Sequence, residues 1–283
     1  MKTNGSHSPI WFITGASKGL GLVAVKKVLA AGHRVAATSR SLTELTEKLG
    51  PATGSFLPLQ LDLGDQASAE RAIAATRAHF GGLDVIVNNA GYGQVGTVEE
   101  VTDDEARRNF DVNVFGVLNV LRAALPHLRA QRSGHVFNIS SIAGFVGSFS
   151  GFGIYCATKF ALSGLTESLH ADLQPFGVHV TLAYPGYFRT EFLAAGSIGR
   201  PSHPIAAYEA ARASEAAHID TINGNQPGDP EKLAEALIRA TQLPAPPLHL
   251  FLGSDAVEIA ENKLAGVQKE LSEQRALSVS TNY

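Results

Sequence analysis

The stretch "PIWFITGASKGLG", residues 9–21, joins an apolar run to three closely spaced glycines. Its first part, "PIWFIT" (9–14), is rich in β-branched and aromatic residues, which is typical of a buried strand. Gly15, Gly19 and Gly21 allow a tight turn after that strand, and the following "LGLVAVKKVLAAG" (20–32) has a helical pattern. The stretch therefore predicts a strand, a glycine-rich turn and a helix, which together begin an α/β fold.

The same alternation of strand and helix continues along the chain. Seven short apolar runs predict strands: "PIWFIT" (9–14), "HRVAATS" (33–39), "FLPLQLD" (56–62), "LDVIVNN" (83–89), "GHVFNIS" (134–140), "GVHVTLAY" (177–184) and "LHLFLG" (248–253). These runs are nearly continuous instead of alternating, as expected when helices cover both faces of a sheet. Repeated strand–helix units imply right-handed crossovers. We therefore predict one α/β domain over residues 1–283, a Rossmann-type doubly wound parallel sheet with a core from about 8 to 253.

Two segments lie outside this regular pattern. Residues 187–228 form the longest connection between a predicted strand and the next clear helix, and connections of this length are usually functional. We predict that they form a substrate loop, with a helix within "AAYEAARASEAAHIDTI" (206–222). Residues 254–283 predict a polar helix followed by a loose end.

The overall composition narrows the class of protein. The net charge is -3 and no basic block occurs, which argues against binding to nucleic acid. The single cysteine, Cys156, excludes a disulfide within the chain and suits the reducing cytoplasm. No segment reaches the roughly 18 uninterrupted apolar residues of a membrane span. The histidines lack metal-ligand spacing, so we predict no metal site. The cysteine content and the lack of an apolar span together predict a cytoplasmic protein.

The glycine-rich turn has the properties of a phosphate-binding loop. Its glycines allow the backbone to approach a phosphate closely, and the helix that follows presents free N–H groups and a partial positive charge to a pyrophosphate. The spacing is G-x-x-x-G-x-G, and an ordinary glycine-rich turn is the alternative interpretation. The candidate cofactor-binding residues of this loop are Gly15, Ser17, Lys18, Gly19, Leu20 and Gly21.

The end of the second strand, "ATSRS", indicates which dinucleotide would bind. Proteins that prefer NAD usually place an acidic residue here, whereas this chain has Ser39 and Arg40. A guanidinium can bond two oxygens of a 2′-phosphate, and Lys18 would add a second positive charge. We therefore predict NADP(H) in preference to NAD(H), which stays an alternative. If Arg40 and Lys18 are merely solvated surface cations, this preference has no basis.

Two further strand ends supply candidate cofactor contacts. Asp62, followed by Leu63, ends the third strand where its carboxylate can accept a hydrogen bond from an adenine amino group. Helix capping is the competing role, for which Asp65 is better placed. The fourth strand ends in "NNAG" (88–91), whose small residues suit a backbone close to a nucleotide, although a plain turn explains them almost as well. The candidates there are Asn89, Ala90 and Gly91.

Six motifs together resemble one enzyme family. The segments "TGASKGLG", "NNAG", "NVFG", "ISSIAG", "YCATK" and "PGYFRT" occur in the order and spacing of the short-chain dehydrogenase/reductase family, over about residues 10–190. The chain is similar to the shorter, non-extended branch, whose members are NAD(P)-dependent oxidoreductases. The resemblance also places Pro185 and Gly186 beside the nicotinamide and Thr190 at its carboxamide; a turn followed by a helix cap is the alternative interpretation of this segment.

The resemblance implies four catalytic residues. Tyr155 would be the acid/base, Lys159 its partner, Ser141 the residue that orients the substrate, and Asn113 a helix-distorting residue that holds water. Ser141 precedes Tyr155 by 14 residues, where 13 is common in the family; the glycine-rich "FVGSFSGFG" can absorb the difference. Free tyrosine has a pKa of about 10, and a nearby ammonium is expected to lower the pKa of Tyr155.

These observations predict an NADP(H)-dependent carbonyl reductase or alcohol dehydrogenase. Aromatic residues in the substrate loop favour a small-molecule ketone, aldehyde or alcohol with apolar bulk. A 3-ketoacyl thioester reductase is the alternative enzyme, and a nucleotide-sensing regulator without catalysis is the alternative from another class. The helices "VFGVLNVLRAAL" and "KFALSGLTESLHADL" carry more small and apolar residues than one sheet-facing stripe requires, which favours a homo-oligomer, a dimer or tetramer.

Overall fold

The computed structural model describes residues 8–194 and 196–283, and a parallel sheet forms its centre. The strands are β1 (Ile10–Ile13), β2 (Arg34–Ser39), β3 (Phe56–Gln60), β4 (Val85–Asn88), β5 (Gly93–Gln94), β6 (Gly134–Ile139), β7 (Val178–Pro185), β8 (Ile198–Gly199) and β9 (His249–Leu252). Seven of them form the main sheet, in the order β3-β2-β1-β4-β6-β7-β9, and β5 pairs with β8 in a small second sheet. All seven predicted strands are confirmed.

Helices cover both faces of this sheet. They are α1 (Gly19–Ala30), α2 (Leu42–Leu49), α3 (Gln66–Phe80), α4 (Asp103–Phe110), α5 (Gly116–Gln131), α6 (Gly153–Leu173), α7 (Glu209–Ala216), α8 (Pro230–Thr241), α9 (Ser254–Glu273) and α10 (Arg275–Val279). Because successive strand residues point to opposite faces, Ile10 and Phe12 pack under α3, α5 and α6. Trp11 and Ile13 pack on the other face, under α1, α2 and α8.

The strand order reverses beside β1. The chain passes from β1 outward to β3, then returns to β4 on the other side of β1. Ligands of open α/β sheets bind at the carboxyl ends of the strands at such a switch point. The predicted Rossmann-type fold is therefore confirmed, and it gathers the strand ends that carry the motifs.

The predicted substrate loop is more ordered than an irregular connection. It contains β8 and α7, and a turn of π-helix at Ala217–Ile222 extends α7, so the predicted helix is confirmed. The short strands β5 and β8 were not predicted, because two residues are too few to show a periodic pattern. In the tail, α9 confirms the predicted helix, and the short helix α10 stands where a loose end was expected.

Three predictions concern the chain as a whole: its location, its single domain and the boundaries within that domain. No helix among the described residues is long and apolar enough to cross a membrane, and the cytoplasmic location stays a prediction. Residues 1–7 of the predicted domain 1–283 lie outside the described residues. The boundaries of core, loop and tail also stay predictions. Cys156 is buried in the same apolar cluster as Val95 and Phe152.

Candidate active site

A cleft of about 1030 Å³ opens at the carboxyl ends of the strands. It brings together nearly all of the residues that the sequence selects. The predicted site residues that line it are Gly15, Ser17, Lys18, Gly19, Leu20, Ser39, Arg40, Asp62, Leu63, Asn89, Ala90, Gly91, Ser141, Tyr155, Lys159, Pro185, Gly186 and Thr190. Asn113 and Gly21 do not line the cleft but support its wall. Its volume matches the upper end of the roughly 300–1,000 Å³ typical of small-molecule sites.

The glycine loop between β1 and α1 has the close packing that its sequence predicts. Gly15 has a φ of +68°, and a Cβ there would meet the backbone of Ala90 at 2.8 Å. A Cβ at Gly21 would overlap the carbonyl of Gly15 and the side chain of Asn89. That amide in turn donates to Thr14 O at 2.9 Å and Gly15 O at 3.3 Å. Only glycine therefore allows the loop to lie this close to the end of β4.

The two cations predicted for a 2′-phosphate lie in different environments. Arg40 lines the cleft directly after β2, and its guanidinium makes no ion pair with any described residue. Lys18 instead points toward the substrate loop, where its ammonium donates to Ser197 Oγ at 2.7 Å and to Gly196 O at 3.2 Å. The structure thus leaves Arg40 open toward the cleft, whereas Lys18 is already engaged.

Asp62 keeps its carboxylate at the cleft. Its Oδ1 accepts from the N–H of Gly64 at 2.9 Å, while Asp65 caps α3 by accepting from Ala67 N at 2.9 Å. The competing capping role therefore belongs to Asp65, as the sequence suggested, and Asp62 stays available to a ligand.

Ser141, Tyr155 and Lys159 meet where β6 ends and α6 begins. Ser141 caps a short 3-10 turn (Ile142–Gly144) by accepting from Ala143 N at 3.1 Å, and its hydroxyl is close enough to the Tyr155 phenol to lower the pKa of that phenol. Lys159 lies one helical turn beyond Tyr155, with its ammonium 5.8 Å from the centre of the Tyr155 ring. The ammonium donates to Ile139 O at 2.9 Å. All three side chains are therefore placed by the junction of one strand and one helix.

Burial controls the acidity of this group. It raises the pKa of the Tyr155 phenol, and the hydrogen bond with Ser141 offsets part of the rise. Burial also lowers the pKa of Lys159 to about 8. The expectation that the pKa of Tyr155 lies below its ordinary value is wrong, because burial raises that pKa. Tyr155 as a whole residue is only 7% exposed, and the Lys159 ammonium bonds the carbonyl of Ile139 instead of the phenol oxygen.

Asn113 stabilises the wall of the cleft near Ser141, Tyr155 and Lys159. It lies in a turn of π-helix (Asp111–Phe115) between α4 and α5, which agrees with the helix distortion that the resemblance implies. Its Oδ1 accepts from Tyr92 N at 3.1 Å, and its Nδ2 donates to Tyr92 O at 3.0 Å and Thr158 Oγ1 at 3.1 Å. Asn113 thereby ties the loop after β4 to α6, and a role in holding water stays a prediction.

Sequence reasoning missed a polar pair on the opposite wall of the cleft. The Tyr187 hydroxyl donates to His218 Nε2 at 2.8 Å, since His218 Nδ1 must donate to the carbonyl of Ser214 at 2.7 Å. Phe152 packs against the His218 ring, with centroids 4.6 Å apart. Gln226 also lines this wall. Only their positions in the sequence could have indicated these residues. Tyr187 directly follows Pro185 and Gly186, and His218 and Gln226 lie in the substrate loop.

Comparison with known proteins agrees with this geometry. Residues 9–198 match the short chain dehydrogenase family. The chain belongs to this family. A short-chain dehydrogenase from Streptomyces avermitilis has a similar structure, with a TM-score of 0.90, 36% identity and coverage of 99% of this chain and 100% of that chain.

Two characterised oxidoreductases are similar at the level of sequence. Oxidoreductase BOA17 of Botryotinia fuckeliana is 35% identical over 254 residues, covering 89% of this chain and 91% of that protein. Human 17-beta-hydroxysteroid dehydrogenase type 1 is 35% identical over 253 residues, covering 84% of this chain and 76% of that protein. This short-chain dehydrogenase is therefore a member of an oxidoreductase family.

Proposed function

We propose that this protein is an NADP(H)-dependent oxidoreductase that reduces a ketone or aldehyde to an alcohol, or catalyses the reverse reaction. The observation that carries the proposal is the convergence of Ser141, Tyr155 and Lys159 in the same cleft as the glycine loop. A proton donor, an oxygen-binding hydroxyl and a buried ammonium thus lie beside a phosphate-binding loop, as carbonyl reduction with a dinucleotide requires.

The residues of the cleft fit a nicotinamide dinucleotide. The backbone around Gly15 and Gly21 leaves room for no Cβ, and the N-cap residue of α1, Lys18, makes no side-chain capping bond, so the first N–H groups of that helix can face a pyrophosphate. Arg40 would hold a 2′-phosphate, and Asp62 the adenine amino group. When bound, the cofactor would supply or accept a hydride at its nicotinamide ring.

The side chains of the chain would handle the proton and the substrate oxygen. In reduction, Tyr155 donates its phenolic proton to the carbonyl oxygen while the carbonyl carbon receives the hydride. The phenol is protonated at neutral pH, as this direction requires, because even the ordinary tyrosine pKa of about 10 lies above that pH. Ser141 donates a hydrogen bond to the same oxygen as negative charge develops there. Lys159 stabilises the phenolate that remains, which then regains a proton from solvent.

The wall around the reacting group favours a substrate with apolar bulk. Phe149, Phe152 and Phe192 line this part of the cleft, and Phe192 packs against Tyr155 with ring centroids 5.9 Å apart. Tyr187 and His218 add one polar pair to an otherwise aromatic surface. Similarity to a hydroxysteroid dehydrogenase supports a bulky secondary alcohol or ketone over a small one.

The alternatives have less support. A reductase of carrier-bound 3-ketoacyl thioesters needs free cations near the entrance, but the three arginines of the loop are engaged. Arg189 donates to Gln226 O, Arg200 pairs with Glu215, and Arg212 pairs with Glu100. A regulator without catalysis would not need Ser141, Tyr155 and Lys159 assembled in one cleft.

The activity is tested with a panel of aromatic, steroid-like, aliphatic and ketoacyl carbonyls, following oxidation of NADPH and of NADH. We expect turnover with a bulky ketone, and a loss of about 10²- to 10⁴-fold in kcat for Tyr155→Phe with unchanged cofactor affinity. Tyr208→Phe, outside the cleft, is the matched control and should keep full activity. Full activity of Tyr155→Phe, or no turnover of any carbonyl by the wild type, would refute the proposal.

The cofactor preference is tested at Arg40. We expect Arg40→Asp to weaken NADPH binding by about 10- to 100-fold and to improve use of NADH, because it replaces a phosphate-binding cation by a carboxylate. Arg275→Asp, on the exposed helix α10, should change neither affinity. A wild-type protein that prefers NADH, or an Arg40→Asp variant with unchanged NADPH affinity, contradicts the assignment of NADP(H).

A further inference from the structure

Gln226 is a buried polar side chain that has no hydrogen-bond partner among the described residues. It is only 1% exposed, it lines the cleft, and neither Oε1 nor Nε2 makes a hydrogen bond. Among residues 8–194 and 196–283, it is the only side chain lining the cleft whose buried polar atoms lack a partner. Burying an amide without hydrogen-bond partners costs free energy. We therefore expect a ligand that forms hydrogen bonds with both atoms of this side chain.

The backbone of Gln226 is held firmly in this place. Its carbonyl accepts from Arg189 Nη2 at 3.1 Å and Nε at 3.3 Å. Two residues later, Gly228 N donates to Tyr187 O at 2.9 Å and Gly228 O accepts from Arg189 N at 2.9 Å, which forms a parallel bridge with Phe188. This bridge holds the segment that carries Gln226 alongside the segment that follows β7. Gln226 thus lies in a segment held beside the one that follows β7, and Gly186 and Thr190 of that segment also line the cleft.

The two orphaned atoms define the chemistry of the ligand. One is a donor and the other an acceptor, on the same planar group, so the complementary ligand is another primary carboxamide. Under the proposed function, the ring that lies beside Gly186 is the nicotinamide, and that ring carries a primary carboxamide. An aromatic carbonyl substrate offers an acceptor but no matching donor. A carboxamide therefore satisfies Gln226 better than the proposed substrate does.

We infer that Gln226 binds the nicotinamide carboxamide of the cofactor through its side-chain amide and so fixes the rotation of the ring beside Tyr155. The inference rests on the proposed function, because it requires a nicotinamide dinucleotide in the cleft. Gln226 is a cofactor-binding residue in this assignment, and the substrate loop thereby contacts the cofactor as well as the substrate.

The experiment uses Gln226→Met, which keeps the length of the side chain and removes both polar atoms. Calorimetric titration measures the affinity for NADP⁺, for NAD⁺ in parallel, and for 2′,5′-ADP, which has the adenosine end without the nicotinamide. We expect NADP⁺ to bind roughly 10- to 100-fold more weakly, because two hydrogen bonds are lost, and 2′,5′-ADP to bind as in the wild type. The 3-acetylpyridine analogue of NADP⁺, which lacks the amide nitrogen, should lose less affinity than NADP⁺.

Thermal unfolding without ligand supplies an independent measurement. Because Gln226→Met removes an unsatisfied buried amide, we expect its melting temperature to rise, on the order of 2–4 °C. Gln268→Met, on the exposed part of α9, is the matched control and should change neither quantity. A rise in stability together with a loss of nicotinamide affinity is not expected from a residue with a purely structural role.

Each opposite result has a definite meaning. Equal weakening of NADP⁺ and 2′,5′-ADP would assign Gln226 a structural role, and unchanged NADP⁺ affinity with a raised KM for the ketone would assign it to the substrate. Either result overturns the inference and leaves the proposed function standing. Wild-type protein that binds neither NADP⁺ nor NAD⁺ overturns the proposed function itself.

Discussion

At the scale of single residues, burial of Lys159 in the candidate site lowers the free energy of unfolding. The residue is 5% exposed, its ammonium donates to the carbonyl of Ile139, and burial lowers its pKa to about 8. The unfolded chain holds the same proton with a pKa near 10.5. Between these two values the unfolded state binds more protons than the folded state, so the free energy of unfolding rises with pH there.

Lys159→Met should therefore stabilise the protein near neutral pH. We expect a gain of about 3 kcal/mol in the free energy of unfolding at pH 7, because the methionine keeps the apolar stem and removes the buried charge. The gain should shrink as the pH rises from about 8 to 10.5, where the wild-type lysine loses its proton in both states. Urea unfolding at pH 7 and pH 10 measures the difference.

Lys232→Met, on the exposed face of α8, serves as the control for this prediction and should show no such pH dependence. A Lys159→Met variant that is less stable than the wild type at pH 7 would show that the bond to Ile139 outweighs the cost of burial. Carbonyl reduction should be lost in Lys159→Met whichever way stability changes.

At the scale of elements, two buried carboxylates hold the substrate loop on the rest of the fold. The side chain of Glu100 has no exposed surface, and it accepts from Thr97 N and Ile205 N, both at 2.7 Å, and pairs with Arg212 at 2.8 Å. Glu105, in the first turn of α4, accepts from the N–H and hydroxyl of Ser202. Burial opposes ionisation of Glu100, but these bonds hold its pKa below the ordinary value.

Glu100→Gln should loosen this attachment. We expect a loss of about 1–3 kcal/mol in the free energy of unfolding at pH 7 and a raised KM for substrate, because Arg212 loses its buried partner. A carboxylate with a depressed pKa stabilises the fold above its unfolded pKa, near 4.5, and this stabilisation disappears as the pH falls below that value. The difference between the two proteins should therefore shrink in acid.

Denaturant titrations at pH 7 and pH 4 check this prediction. Glu209→Gln, an exposed carboxyl in the first turn of α7, is the control and should have little effect. Equal stability of Glu100→Gln and the wild type at pH 7 would mean that the ion pair contributes nothing beyond its neutral hydrogen bonds.

At the scale of the whole molecule, the two helices selected for oligomer contacts each carry an exposed aromatic ring. Phe115, at the start of α5, is 51% exposed, and Phe160, on α6, is 43% exposed. Large exposed apolar side chains favour an interface, and twofold symmetry would let one such surface meet its own copy. We therefore keep the homo-oligomer as a prediction and assign α5 and α6 to its interface.

Phe160→Glu should separate the subunits. We expect the wild type to elute with a mass that is a multiple of 29.8 kDa by size exclusion with light scattering, and Phe160→Glu to elute at 29.8 kDa, because a buried charge would oppose association. Leu271→Glu, 60% exposed on α9, is the control and should leave the mass unchanged. A wild-type mass of 29.8 kDa would refute the prediction.

The sequence alone determined the features that depend on neighbouring residues. Apolar runs and helical patterns predicted the strands and helices, because secondary structure follows local periodicity. The ends of those strands then placed Gly15, Ser141 and Pro185 at one edge of the sheet, since all strands of a parallel sheet end on the same side. Tyr155 and Lys159 could be placed on one helix face because they are four residues apart.

Only the tertiary structure decided what depends on contacts between distant segments. The bond of Lys18 to Ser197 spans 179 residues, and the pair between Arg212 and Glu100 spans 112, so no local pattern announces either. Burial, which sets the raised pKa of Tyr155, is a property of the packed molecule and reversed the direction expected from sequence. The orphaned amide of Gln226 is likewise visible only once every possible partner has been placed around it, because hydrogen bonding and desolvation act through space and not along the chain.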